Sequence, residues 1–406
     1  MNSVKNHWLA ACLAIILGFL AVWPFLAFRA ELGDGYQGID RQVANDELFY
    51  LARIKDVIDG HPTLGNAYLW EHKTGLPQQL FLAEFLLAQP LKLLNIDLQT
   101  GHLAYNFILT PISFLLAYLI LCRITGSRLW AIMFSALLFF GIFLFDFSRP
   151  VSPQFNFIFW LTQFLLLWIL FAKGASKKIV FLNALNLGLL FYIYPYYWAY
   201  YLILLGLLTI YFFFKDSSCS AALLKIAVGG LLLGSGYLYL TFKASRLPFY
   251  EDSLTRLQMI YTHFPSGINV LKWTAPTLLL FYVLYRLKLL NYSKTVVYLA
   301  AAVFSVVIAV NQHVVTGRNF EFSSHYYMIA VFVSVFALAC LWALTGPKIY
   351  WLKTFGPLWL GALVILAGAA GVASYAGMAF SYSSEMVSAQ KFAPVFKWLN
   401  ENSAKD

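Results

Sequence analysis

Eleven stretches of sixteen to twenty-two residues carry almost no charge, and they constrain this chain more than any motif in it. An α-helix rises 1.5 Å per residue, so about twenty apolar residues cross the ~30 Å hydrocarbon core of a bilayer. The stretches lie at roughly 8–28, 102–122, 129–146, 155–172, 178–193, 196–214, 223–242, 272–287, 295–311, 326–345 and 355–376. Hydrophobic residues make up 61% of the chain and charged residues 11%, against about 25% charged in an average soluble chain. The expectation is an all-α polytopic membrane protein with about eleven transmembrane helices. The first run follows Lys5 and has no small-x-small cleavage pattern before Glu31, so it reads as a membrane helix and not as a signal peptide.

Orientation follows from the basic residues. With the N-terminus in the cytoplasm and the runs alternating, the cytoplasmic segments hold thirteen of the 28 lysines and arginines, among them Lys5, Arg123, Lys173, Lys215, Arg286 and Lys348. They hold one acid, Asp216. Short, basic loops on one side are the positive-inside signature. The net charge of +10 is therefore assigned to cytoplasmic loops, and nucleic acid is not an expected partner. The four cysteines fall in predicted spans or on the cytoplasmic side, without a C-x-x-C pair, which leaves thiol and zinc chemistry unsupported. All longer loops fall on the external side: about 29–101, 147–154, 243–271, 312–325 and the tail from 377.

The first of these loops contains ANDELFYLARIKDVIDGHP, Ala44 to Pro62, the densest run of charge near the start of the chain. Its spacing predicts a helix over 46–59, with Asn45 or Asp46 as N-cap and Gly60 and Pro62 as the stop. Tyr50, Leu51, Ile54, Val57 and Ile58 share one face, and Lys55, Asp56 and Asp59 the other. Such a helix is suited to lying flat on a membrane surface. Glu47 projects into the apolar face and Asp46 sits at its edge, beside Arg53. A carboxylate among apolar groups is costly unless paired. Two readings compete: acids in a first helical turn stabilised by the helix dipole, or a general base held at the membrane edge.

A first external loop that begins soon after span one and runs NDELFYLARI into a surface helix resembles the GT-C superfamily of integral membrane glycosyltransferases. These enzymes use polyprenyl-phosphate-linked sugars and include oligosaccharyltransferases, protein O-mannosyltransferases, C-mannosyltransferases and the lipid A aminoarabinose transferase. The span number, cytoplasmic N-terminus and elaborate external face match as well. The resemblance implies that Asp46 is the active-site acid, with Glu47 as second candidate. It implies a polyprenyl-phosphate sugar donor, an acceptor that is protein, lipid or glycan, and a site facing outward from the cytoplasmic (inner) membrane of a prokaryote. The chemistry is coherent: a carboxylate deprotonates the acceptor, and a cation or metal stabilises the departing phosphate.

The remaining candidates lie in the other external segments and in one part of the first loop. In LWEHKTG, Lys73 and His72 are candidates for contact with phosphate or substrate, against a merely solvated loop. In FDFSRPVSPQFNF, Asp146 matches by position the second acid of several GT-C families, and Arg149 is a lone cation at the mouth of two spans, either snorkelling or binding phosphate. No D-x-D occurs, so no metal ligand set is assigned and a divalent metal is left open as cofactor. YIYPYYWAYY, including Tyr196, is either an interfacial aromatic belt or a stacking wall for sugar or isoprenoid. NQHVVTGRNFEFSSHYY gathers His313, Arg318, Glu321, His325 and Tyr326 between two spans, where ionisable groups are functional candidates by default. By the resemblance Arg318 is the first choice for the donor phosphate and His325 the second, with Glu321 and Tyr326 near the substrate. Glu251 and Asp252, in a second expected surface helix, are candidates for acceptor contact or solvated face.

The expected division is a GT-C-like membrane domain over 1–376 and an external tail over 377–406, either a compact ending or the truncated start of a soluble domain. Two other functions compete. A lipid or glycan transporter or flippase would place ionisable groups near the bilayer midplane, whereas here they crowd one face. A polymerase or ligase of the O-antigen type would carry its largest loop late, whereas here the first loop is largest.

Overall fold

A computed structural model of the chain describes residues 7–43, 46–65, 75–76, 81–248, 250–256, 259–319, 323–381 and 384–402. Among the described residues the secondary structure is helical, with one isolated antiparallel bridge between Tyr261 and Arg318. In chain order the helices are α1 (Trp8–Leu32), α2 (Glu47–Ile58), α3 (Leu82–Leu94), α4 (Leu98–Thr125), α5 (Arg128–Ala136), α6 (Asn156–Lys173), α7 (Lys177–Ile193), α8 (Pro195–Phe213), α9 (Ser217–Ala244) and α10 (Tyr250–Arg256). They continue with α11 (Ile268–Arg286), α12 (Lys294–Val310), α13 (His313–Thr316), α14 (Tyr327–Thr345), α15 (Tyr350–Phe380), α16 (Ser384–Ala389) and α17 (Ala393–Asn402).

Nine helical segments among the described residues are long and apolar enough to cross a membrane, and the chain is a multi-pass helical membrane protein. Nine of the eleven expected runs correspond to these long helices. The run at 129–146 forms the nine-residue α5 and then a π-helical turn over Leu137–Ile142, which together stay short of a full span. The run at 178–193 forms α7, a seventeen-residue helix at the lower limit of the length that crosses a bilayer.

The chain divides into two compact units. The first comprises Met1–Leu119, Ile132–Ile158 and Leu360–Asp406; it holds the first loop and the tail. The second comprises Ile120–Ala131 and Phe159–Trp359.

In the first unit, α2 packs on α3. Ile54 and Val57 of α2 join Ala83, Leu87, Ala88 and Leu91 of α3, Leu109 of α4 and Val151 in one buried cluster. The apolar face read as a membrane-surface face is thus covered by protein, while Leu48 points outward at 61% exposure. No helix is assigned over 82–94 from the sequence; Pro90 lies inside α3, whose chain ends at Asn95 in the left-handed region. The start of the first loop is tied down by Asp40, which accepts from Arg29 Nε at 2.7 Å, Arg29 Nη2 at 2.5 Å and the Tyr36 hydroxyl at 2.9 Å. Burial and that carboxylate push the Tyr36 phenol up to about 12. The tail is anchored to the same loop: buried Gln390 accepts from the Gln37 amide at 2.9 Å and donates to Ile39 O at 2.7 Å.

In the second unit, α9 packs on α7 and α8, α12 on α8, and α11 on α12 and α14. Small residues permit the closest of these approaches: a side chain at Gly230 would collide with Leu187 of α7. Buried tyrosines satisfy their hydroxyls on backbone carbonyls. Tyr201 donates to Trp160 O at 2.6 Å, and Tyr298 to Phe164 O at 3.0 Å. A three-way amide cluster adds polar contacts in the same core. Gln163 donates to Asn183 Oδ1 and accepts from Asn186 Nδ2, each at 3.0 Å.

Candidate functional site

Two groups of chemistry-bearing residues stand out, one in each unit. The first is built on the turn that opens α2. Asp46 is the N-cap residue of α2, as the sequence suggests, but its side chain makes no capping hydrogen bond. Its backbone is left-handed, with φ 64°. For a residue other than glycine that conformation costs roughly 1 kcal/mol, and it persists where surrounding structure imposes it. The Asp46 carboxylate is 63% exposed, and its Oδ2 lies 3.7 Å from Arg149 Nη1. An ion pair this open adds little stability, so both charges stay available. Arg149 is fixed from the other side: its Nε donates to Ser152 O, and its guanidinium lies over the Tyr50 ring at 6.0 Å. Asp146 opens the short turn Asp146–Ser148 just before Arg149, with its side chain at the surface.

Glu47 behaves differently from its neighbour. It is 2% exposed, its Oε2 accepts from the Val43 amide at 2.8 Å, and its Oε1 lies 3.8 Å from His102 Nε2 on α4. Arg53 does not join Asp46; it is buried against Glu84 of α3, with Nε 2.7 Å from Oε1. Below this turn α4 carries a buried polar stripe, His102, Asn106, Thr110 and Ser113, at helical spacing. Sequence reasoning passed over it, although GHLAYNFILTPIS shows one polar residue per turn.

The second group joins the middle and late loops of the second unit. Arg318 Nη2 donates to Glu251 Oε2 at 2.6 Å, and the guanidinium lies over the Tyr261 ring at 4.6 Å. The hydrogen bond to Glu251 raises the Arg318 pKa further, so the group is charged at any working pH. Backbone and side-chain bonds zip the two loops together: Thr262 N to Gly317 O at 2.8 Å, Ile260 N to Asn319 Oδ1 at 2.7 Å, and Ser266 N to Asn311 Oδ1 at 2.9 Å. His313 is used structurally, its Nε2 standing 2.8 Å from Phe264 O.

His325 sits in an aromatic nest. Its ring stacks on Tyr196 at 4.3 Å between centroids, and its Nδ1 lies 2.7 Å from the Tyr194 hydroxyl. Tyr326 is 2% exposed and meets Tyr196 edge-on at 5.4 Å. Here Tyr194 is extended and Pro195 starts α8, where a missing amide hydrogen costs nothing. The aromatic run YIYPYYWAYY therefore divides. Tyr200 and Tyr201 are fully buried packing residues, whereas Tyr194 and Tyr196 face His325.

The structure thus brings Asp46 to Arg149, and His325 to Tyr196 and Tyr326. It gives Arg318 a partner, Glu251, read from the sequence as an acceptor contact or part of a solvated face. Glu71, His72, Lys73 and Glu321 lie outside the described residues. Among the described residues no three His, Cys, Asp or Glu side chains converge as a metal site. No family model matches the chain, and no curated protein matches it.

Proposed function

We propose that the chain is a GT-C-type membrane glycosyltransferase that moves a sugar from a polyprenyl-phosphate donor to an acceptor at the external face of a prokaryotic cytoplasmic membrane. Asp46 is the general base, and Arg149 holds negative charge beside it. In the second unit, taken by itself, Arg318 and His325 are the groups suited to binding a lipid phosphate. One observation carries this reading: an exposed, uncapped carboxylate is held in a left-handed turn 3.7 Å from a guanidinium, in a chain otherwise sparing of charge. A residue held in a costly conformation whose side chain makes no capping hydrogen bond points to use in chemistry. The positive-inside count supports an external location for the loop that carries it. The sugar-transfer step itself is an acid–base one: the acceptor's proton passes to Asp46 as its oxygen or nitrogen attacks the anomeric carbon, and the bond to the lipid phosphate breaks with its electron pair.

The test is incorporation of radiolabelled sugar by membranes containing the wild type or Asp46→Asn, supplied with polyprenyl-phosphate sugars. Transfer by the wild type and none by the variant, at equal membrane levels, is the expected result. Equal transfer by both would remove Asp46 from the chemistry. Absence of transfer by the wild type across a panel of donors would turn the assignment toward a lipid or glycan flippase.

A further inference from the structure

The two zipped loops of the second unit are built unlike loops that stand in water. Residues 259–268 and 311–317 contain no Asp, Glu, Lys or Arg. Their polar groups are turned on one another. His263 Nδ1 stands 3.0 Å from Val314 O, and His313 Nε2 stands 2.8 Å from Phe264 O. Gln312 Nε2 donates to Arg318 O at 2.8 Å, and Asn319 N to Ile260 O at 3.2 Å. The apolar side chains are left outside. Ile260, Tyr261, Phe264, Ile268 and Val315 are each more than half exposed, Phe264 and Val315 at 82% and 87%. Bare apolar surface of this kind is unfavourable in water and marks something that covers it.

The place of these loops in the fold says what that is. Ile268 opens the membrane helix α11, and Val314 and Val315 belong to Lys294–Thr316, a segment long and apolar enough to cross a membrane. The ends of α11 and α12 meet there: a side chain on Gly267 would stand 2.7 Å from Val310 Cγ2. The nineteen residues of α11 rise about 28 Å, just short of the ~30 Å hydrocarbon core, so Ile268 lies near its edge. Lys272, one turn inside α11, reaches back to Asn269 Oδ1 at 3.3 Å, the direction in which a lysine at the edge of hydrocarbon finds the headgroups. The bare apolar surface also continues along α11 through Leu279 and Tyr282. Irregular backbone approaches lipid only when its N–H and C=O groups are paired within the protein, and the bonds between the two loops supply that pairing. We propose that the surface formed by 259–268 and α13 docks into the external leaflet of the bilayer, with Ile260, Tyr261, Phe264 and Val315 at the boundary between headgroups and acyl chains. Arg318, whose guanidinium lies over the Tyr261 ring, is then held at the depth of the lipid phosphates and not in bulk water.

The experiment places a genetically encoded fluorescent amino acid at Phe264, and separately at Val315, in the full chain reconstituted into liposomes of phosphatidylcholine and phosphatidylglycerol. The same label at Leu279, midway along α11, gives the deep reference. Quenching is compared between lipids carrying a nitroxide at acyl carbon 5, lipids carrying it at carbon 12, and iodide in the water. At 264 and 315 the shallow nitroxide should quench about twofold more than the deep one, and iodide about fivefold less than it quenches the free label. At Leu279 the order of the two nitroxides should reverse. Both test positions are open, so the label displaces little packing; a labelled protein whose unfolding midpoint in detergent departs from the wild type is replaced by one labelled at Ile260. Strong quenching by iodide without quenching by either nitroxide would put the surface in water and overturn the proposal. Shielding from iodide and from both nitroxides would overturn it as well, because a second copy of the chain or another protein would then be the cover. The readout needs no sugar transfer, so the proposal stands or falls apart from the assignment of the reaction.

Discussion

Arg53 Nε stands 2.7 Å from Glu84 Oε1, and the two side chains are only 5% and 4% exposed. Thirty-one residues separate them in sequence, and together they pin α2, whose first turn carries Asp46, onto α3. Removing one partner leaves the other charge buried and uncompensated, which costs about 3–5 kcal/mol. Replacing both by apolar groups of similar volume costs far less, because no charge is left behind. Arg53→Ala and Glu84→Ala should each lower the midpoint of thermal unfolding in detergent steeply, whereas Arg53→Met with Glu84→Leu should recover most of the loss. A double variant as unstable as the singles would mean that the pair is held by interactions other than its own charges.

Substitutions at Asp46 should separate stability from chemistry. At φ 64° an alanine meets the left-handed penalty in full, and a glycine does not. Asp46→Ala should be less stable than Asp46→Gly by about 1 kcal/mol, a difference readable from denaturation midpoints. Asp46→Asn, which tolerates the same backbone region, should match the wild type in stability. All three should abolish sugar transfer. Activity that followed stability across the series, with Asp46→Gly the most active, would show that the turn matters for folding alone.

The late loop yields a prediction of opposite sign for two partners. Glu251 is 69% exposed on the side-chain scale and occupies the guanidinium of Arg318, which is 27% exposed. Ion pairs of this kind contribute about 0–1 kcal/mol, so a phosphate can displace the carboxylate at little cost. Glu251→Gln should therefore lower the donor KM by about threefold with stability nearly unchanged. Arg318→Ala should raise it by about tenfold or more. Both effects should shrink as salt is added, since screening weakens exposed charges. Steady-state kinetics at low and high ionic strength decide this; a raised KM in Glu251→Gln would show that the ion pair builds the site and does not compete with the donor.

The sequence carried what depends on local periodicity. The nine long helices follow from uninterrupted apolar runs, and α2 appears within a residue of its expected bounds because its caps and its apolar face are spaced along one helix. The π-helical turn after α5 carries no such signal, since it is a matter of backbone hydrogen-bond register and not of residue type. Partnerships across the chain were invisible for a different reason. Nothing near Arg53 marks Glu84 as its partner, so it was assigned to the nearest acid, Asp46. Arg318 was likewise read as free for a ligand because Glu251 lies in another loop. His102 is the instructive omission: its polar stripe was written at helical spacing, but the chain of hydrogen bonds that runs from it through Asn106 to Gln154 exists only once Gln154 is folded against the stripe.

The start of α4 gives a prediction that depends on pH. Asp97 Oδ1 accepts from the Thr100 amide at 2.9 Å, satisfying one of the unpaired amides of the helix's first turn. Those hydrogen bonds with Thr100 hold the Asp97 carboxyl below its ordinary value of 3.8. A carboxylate whose pKa is lower folded than unfolded adds stability above the unfolded value and loses it as pH falls through the folded one. Asp97→Ala should therefore cost about 1 kcal/mol at pH 7. Asp97→Asn, which still caps but does not titrate, should cost less. The gap between the wild type and Asp97→Asn should close as the pH is taken below 3.8, the ordinary value for this carboxyl. Unfolding midpoints of the three proteins across an acid series measure this directly. A gap that stayed constant down the series would mean that the stabilisation comes from the side chain's shape and hydrogen bonding and owes nothing to its charge.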